Sequence, residues 1–155
     1  QPALPTSPAI KSLDIDVLLA SGEAAKALAL SEEGRNRFPL SRALTMRHAD
    51  VLLAAGRKDD AVAFLRDQAQ IYRTDAGVQR ALARAYAEQG KLALQHMTLA
   101  EHYALMGALP AALEQLGIAG GSPDATFYDQ AVIDAREREL QANWREMSGK
   151  GNNRR

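Results

Sequence analysis

Residues 52–62 read LLAAGRKDDAV, and two other stretches carry the same pattern: LLASGEAAKAL at 18–28 and AYAEQGKLALQ at 85–95. Their glycines, Gly22, Gly56 and Gly90, stand 34 residues apart at each step. A fourth glycine, Gly107 in HYALMGALPAAL, follows Gly90 by 17 residues, half that period. Each ends a segment rich in Leu, Ala and Tyr. Glycine enters the left-handed conformation without the steric cost a side chain brings, so each can close one helix before a tight turn into the next.

Other positions keep the same register. Four residues before each glycine stands a large side chain: Leu18, Leu52, Tyr86 and Tyr103. Seven before, where two helices cross closely, stand Ala49, Ala83 and Ala100, with Ile15 the misfit. Five after stand Ala27, Ala61 and Ala112, with Gln95 the departure. Pro39 falls where a helix-ending proline belongs in the first unit. A helix–turn–helix unit of about 34 residues is the tetratricopeptide period. The competing reading is a generic Ala/Leu helical bundle with coincidental glycines, but that does not account for several positions agreeing at once.

The fold class read from this is all-α, a tetratricopeptide-type helical-hairpin solenoid of about eight helices. Helices are expected near 10–21, 24–35, 41–55, 58–72, 76–89, 92–106 and 109–118. LALQHMTLAEHYALM, residues 92–106, contains no breaker. It reads as one long helix shared by the pair closed at Gly90 and the pair opened after Gly107. Gly120-Gly121-Ser122-Pro123-Asp124 is a break. Asp124 or Thr126 then caps a last helix to about Met147. Its stripe of Ile133, Leu140, Trp144 and Met147 suits it to cover the open end of the array. The expected organisation is a disordered or extended lead over 1–9, helical repeats over 10–119, a linker over 120–126, a capping helix over 127–148 and a disordered tail over 149–155.

Composition narrows the function classes. Of 155 residues, 46% are hydrophobic but only 5% aromatic, and alanine is frequent, which favours closely packed helices. Lys+Arg and Asp+Glu both total 19, so no global field draws the chain to nucleic acid or an anionic membrane. No cysteine is present, which removes disulfides, thiolate zinc sites and thiol catalysis. No apolar run is long enough to span a membrane, and no signal peptide is visible. The chain opens on Gln1-Pro2, so it reads as an excerpt or a processed product.

No residue is expected to be catalytic, and neither a metal nor a cofactor is expected. His96 and His102 are six residues apart, a turn of about 240° on a helix, so they share no face, and His48 is distant. All three read as solvated or capping histidines. Gly120-Gly121-Ser122 lacks the strand and the Lys-Ser/Thr pair of a phosphate loop. No serine sits in a nucleophile motif.

A partner-binding groove remains. Projecting the repeat register onto the first helix of each pair turns Asp16, Met46, Asp50, Leu53, Arg80, Arg84, Glu88, Met97 and Glu101 toward the inner surface. Asp16, Asp50 and Arg84 are equivalent positions, which lets Asp50 face Arg84 across adjacent helices. The functional reading is a mixed-charge, Met-containing groove for an extended or helical peptide. The bland alternative is an ordinary solvated face with one surface ion pair. A clamp for a terminal carboxylate needs Lys, Asn and Arg at repeated inner positions, and Ala, Met and Asp stand there instead.

ALTMRHADVLLAAGRKDDAVAFLRDQ, ALARAYAEQGKLALQHMTLAEHYALMGALPAALEQLGIA and TFYDQAVIDARERELQ together resemble one family. It is the carboxy-terminal tetratricopeptide region of bacterial HtpX-like zinc metalloproteases of the outer-membrane β-barrel assembly-enhancing type. The resemblance covers roughly Ser41 to Gln141. It implies a periplasmic protein whose protease domain, with its His-Glu-x-x-His motif, lies outside this chain. It also implies partners: the protease domain itself, and the β-barrel assembly machinery or its substrates. The alternative is a free-standing adaptor or assembly scaffold.

Overall fold

A computed structural model describes residues 7–152. They form α1 (Pro8–Ala20), α2 (Ala24–Arg37), α3 (Arg42–Ala54), α4 (Lys58–Ile71), α5 (Ala76–Glu88), α6 (Leu92–Leu105), α7 (Leu109–Gly120) and α8 (Phe127–Asn152), with no strand among the described residues. The chain divides into two compact units at Leu65 and Arg66, inside α4.

Local chemistry sets the helix starts. Side-chain oxygens of Ser7 and Ser41 accept the backbone N–H of Ile10 and Leu44. Asp75 Oδ1 accepts those of Gly77 and Val78 at 2.9 and 3.3 Å. Each satisfies donors that have no partner inside the first turn. Thr126 and Asp129 form a reciprocal capping box at the start of α8: the Thr126 N–H donates to Asp129 Oδ2, and the Asp129 N–H donates to Thr126 Oγ1, both at 3.0 Å.

The four glycines end α1, α3, α5 and α6 in one way. Gly22, Gly56, Gly90 and Gly107 have φ of 75°, 76°, 73° and 76°. The N–H of the following residue reaches back to the large residue four before the glycine: Glu23 to Leu18, Arg57 to Leu52, Lys91 to Tyr86 and Ala108 to Tyr103. The glycine N–H bonds the next carbonyl along. This is the double-bonded Schellman closure, and its left-handed residue is where a side chain would be strained.

In the first unit, Ile15, Ala27, Leu44 and Val51 are buried together, with Leu18, Leu19, Leu28, Leu30 and Phe38 packed around them. Ile15, the misfit of the repeat pattern, fills a fully buried site between helices. Gly34 lets α2 lie close: a Cβ there would stand 3.3 Å from a Leu44 methyl group. In the second unit, Ala100, Leu109, Ala112, Leu116, Ala119, Ile133 and Leu140 form one core. Here α6 packs against α5, α7 and α8.

Three expectations need correction. The shared helix α6 serves two hairpins, but it has 14 residues, the same as α2 and α4, so it is not long. Gly107 stops it as firmly as Gly90 stops α5. Helix α8 continues through Asn152, so residues 149–152 are helical rather than tail; no proline follows Pro123, and Gly149 and Gly151 are carried within the last turns. Pro8 and Ala9, placed in the lead, belong to α1, because Ser7 caps it and proline suits a first turn. The rest of the expected lead, 1–6, and of the tail, 153–155, lies outside the described residues. The fold is all-α, built of tetratricopeptide-type helical hairpins.

Candidate partner-binding surface

The nine groove residues fall in both units. Asp16, Met46, Asp50 and Leu53 belong to the first, and Arg80, Arg84, Glu88, Met97 and Glu101 to the second. In the first unit all four are half-buried. Asp16 is held by α3: its Oδ1 lies 2.7 Å from Arg47 Nε.

In the second unit the set divides again. Arg80, Arg84 and Glu88 are exposed along one face of α5, at spacings of four, while Val78, Leu82, Ala85 and Tyr86 bury the opposite face. Met97 instead packs against the α6–α7–α8 core. Glu101 is taken by α8, where Arg136 binds it through Nε–Oε1 at 2.7 Å and Nη2–Oε2 at 2.9 Å. Hydrogen bonding to Glu101 raises the Arg136 pKa further above its ordinary value. The repeat register placed Met97 and Glu101 correctly on α6, but it carried no information about α7 and α8 folding over that face.

The histidines are not simply solvated, and His96 is half-buried. His48 and His102 are buried, and each of the three bonds a neighbouring helix. His102 Nδ1 donates to the Ala76 carbonyl at 2.7 Å, and His96 Nδ1 meets Gln115 Oε1 at 2.8 Å. His48 Nδ1 lies 2.9 Å from Ser31 Oγ, with the Phe64 ring edge-on at 4.9 Å. The Ser31 hydroxyl donates its own proton to the Leu28 carbonyl at 2.9 Å. With the serine proton on that carbonyl, His48 Nδ1 carries a hydrogen and donates it. A serine nucleophile needs the opposite, a hydroxyl donating to the imidazole. The pair is a buried strut between α2 and α3. Burial, then the nearby Arg35 charge, lowers the His48 pKa. Among the described residues no group of three or more His, Asp or Glu side chains is arranged to hold a metal ion. No helix among them is long and apolar enough to cross a membrane.

Sequence reasoning passed over one concave feature. A groove of about 390 Å³ runs between the end of α4 and α5, lined by Arg66, Ala69, Gln70, Arg73, Gln79, Leu82 and Tyr86. A further hollow opens at the α4–α5 turn, around residues 70–76, and Arg73 lines both. The available signal was the pair of arginines at the end of α4 and in the turn after it, Arg66 and Arg73.

No protein-family model and no curated protein matches the chain. Among solved structures it is similar to the crystal structure of a thermophilic TPR protein from Thermus thermophilus. The TM-score is 0.48 and the identity 19%, over 89% of this chain and 83% of that one. The class is defined by the chain's own hairpins and their glycine closures: a tetratricopeptide-like helical domain.

Proposed function

We propose that this chain is a non-catalytic protein-binding module, and that it is the partner- and substrate-engaging region of a periplasmic zinc metalloprotease concerned with outer-membrane protein assembly and quality control. The observation that carries the binding reading is α5. Its buried face secures the helix in the second unit, and its other face presents Arg80, Arg84 and Glu88 to solvent. The finer reading is supported by the sequence resemblance from Ser41 to Gln141. The chemistry would reside in the protease domain, and this chain would select and position what reaches it.

The test is photo-crosslinking in cells. A photoreactive amino acid replaces Arg80 in the natural gene product. Adducts with a zinc protease domain, with the β-barrel assembly machinery or with nascent outer-membrane proteins are the expected result. Adducts confined to cytosolic proteins, or none at all, would overturn the proposal.

A further inference from the structure

The groove between α4 and α5 has the chemistry of an anion site. Arg66, in the last turns of α4, and Arg73, in the turn that follows it, both line it. Among the described residues neither forms an ion pair. Arg73 Nε is turned to the Gln70 carbonyl, a long 3.4 Å contact that leaves the rest of its guanidinium donors available. No acidic side chain lines this groove. Asp75, in the adjoining hollow, has Oδ1 committed to the first N–H groups of α5.

Tyr86 gives an independent observation. Its side chain is only 7% exposed, yet it lines the groove. Among the described residues its hydroxyl has no hydrogen-bond partner. The ring is packed away while the hydroxyl opens onto the groove, which leaves it free to donate to an acceptor bound there. Arg66 stands near enough for its charge to act on this phenol against the upward push of burial.

We propose that this groove receives an acidic side chain from an extended internal segment of a protein partner. Arg66 and the Tyr86 hydroxyl hold its carboxylate, and Arg73 meets a second acidic residue further along. The charged side chains of the groove are all cationic, which favours an acidic partner. It runs on past Arg73 into the hollow at the α4–α5 turn, so a chain can pass through rather than end there. Exposed Ile71 and Tyr72 at that turn offer apolar footing for a residue between the two acids. This inference rests on the protein-binding reading and specifies the chemistry of the bound segment.

The probe is a labelled Gly/Ser peptide, blocked at both ends, in which two glutamates flank a phenylalanine. Its control has glutamines instead. Fluorescence anisotropy with the intact chain should show saturable binding of the glutamate peptide, weakened by salt, and affinity for the glutamine peptide lower by about tenfold. R66Q and R73Q should each lose several-fold, as should Tyr86→Phe, which keeps the packed ring and removes only the hydroxyl. Both arginines are exposed, so circular dichroism should show these variants folded. Equal binding of the two peptides, no binding of the glutamate peptide, or undiminished affinity in the R66Q/R73Q double variant would overturn the proposal. If that happens while crosslinks from position 80 persist, this groove is refuted and the binding function stands.

Discussion

Arg136 on α8 grips Glu101 on α6 with two parallel hydrogen bonds, at 2.7 and 2.9 Å, and reaches Glu139 on its own helix with a third at 2.7 Å. A planar guanidinium matches a carboxylate in this fork geometry, so the pair fixes the angle of α8 as well as attracting it. The two side chains are 30% and 36% exposed, so solvent screens them. A double-mutant cycle with Glu101→Gln and Arg136→Met, read by urea unfolding, should give a coupling of about 1 kcal/mol, the upper end for exposed pairs. The coupling should shrink in high salt. Additive losses would mean that Ile133 and Leu140 alone hold α8.

Asp124 caps a helix that begins 32 residues before it. Its two carboxylate oxygens accept the backbone N–H groups of Leu92 and Ala93 at 2.8 and 3.0 Å. Lys91, at the N-cap position, gives no side-chain bond, so Asp124 is the side chain that satisfies that end of α6. Asp124→Ala should cost about 1 kcal/mol. Hydrogen exchange should speed up at Leu92 and Ala93 while the start of α8, held by Thr126 and Asp129, stays protected. Equal acceleration at both places would contradict this division of roles.

Two alanine substitutions should have opposite signs. Gly90 sits at φ of 73°, so Gly90→Ala should destabilise by about 1–2 kcal/mol although there is open space around it. Gly117 is within α7, also with open space, so Gly117→Ala should stabilise by about 0.5–1 kcal/mol through helix propensity. Thermal unfolding of both variants checks the pair.

The His48 strut makes stability depend on pH. Burial holds its folded pKa below 6.5, so the unfolded chain takes up the proton first as pH falls. The stabilisation is complete above about pH 6.5 and is lost as the pH drops from there through the folded value. In His48→Asn an amide N–H can replace Nδ1–H toward Ser31 without titrating. The difference in unfolding free energy between wild type and this variant should therefore change between about pH 7.5 and pH 5. A constant difference would mean that His48 titrates alike folded and unfolded.

These features differ in how readable they are in the sequence. The glycine closures are legible because each is a local event: Leu52, Gly56 and Arg57 make the whole motif within one short stretch. The same holds for Thr126 and Asp129. Asp124 reads as a candidate cap for the nearer helix, because nothing local reveals a partner 32 residues away. The pattern of α6 alone assigns Met97 and Glu101 to a groove, but α7 and Arg136 claim them. His48 and His102 look polar in sequence, but Ser31 and the Ala76 carbonyl let them be buried. Tyr86 reads as the repeat's large packing residue, which it is, while its hydroxyl also opens onto a groove set by Arg66 on α4 and Arg73 in the turn after it. The stripe on α8 reads as one apolar face; Ile133 and Leu140 are buried, but Trp144 and Met147 lie beyond the helices that cover them and are exposed.

The proposed function is protein binding through the exposed, charged face of α5. The most direct measurement is fluorescence anisotropy of a labelled, unfolded segment of a β-barrel outer-membrane protein titrated with the chain. An R80E/E88K variant, reversing two exposed charges on that face, serves as comparison. The account predicts saturable binding by the wild type and a loss of about tenfold or more in the variant, with unchanged circular dichroism. No binding, or equal binding by the two, would contradict it.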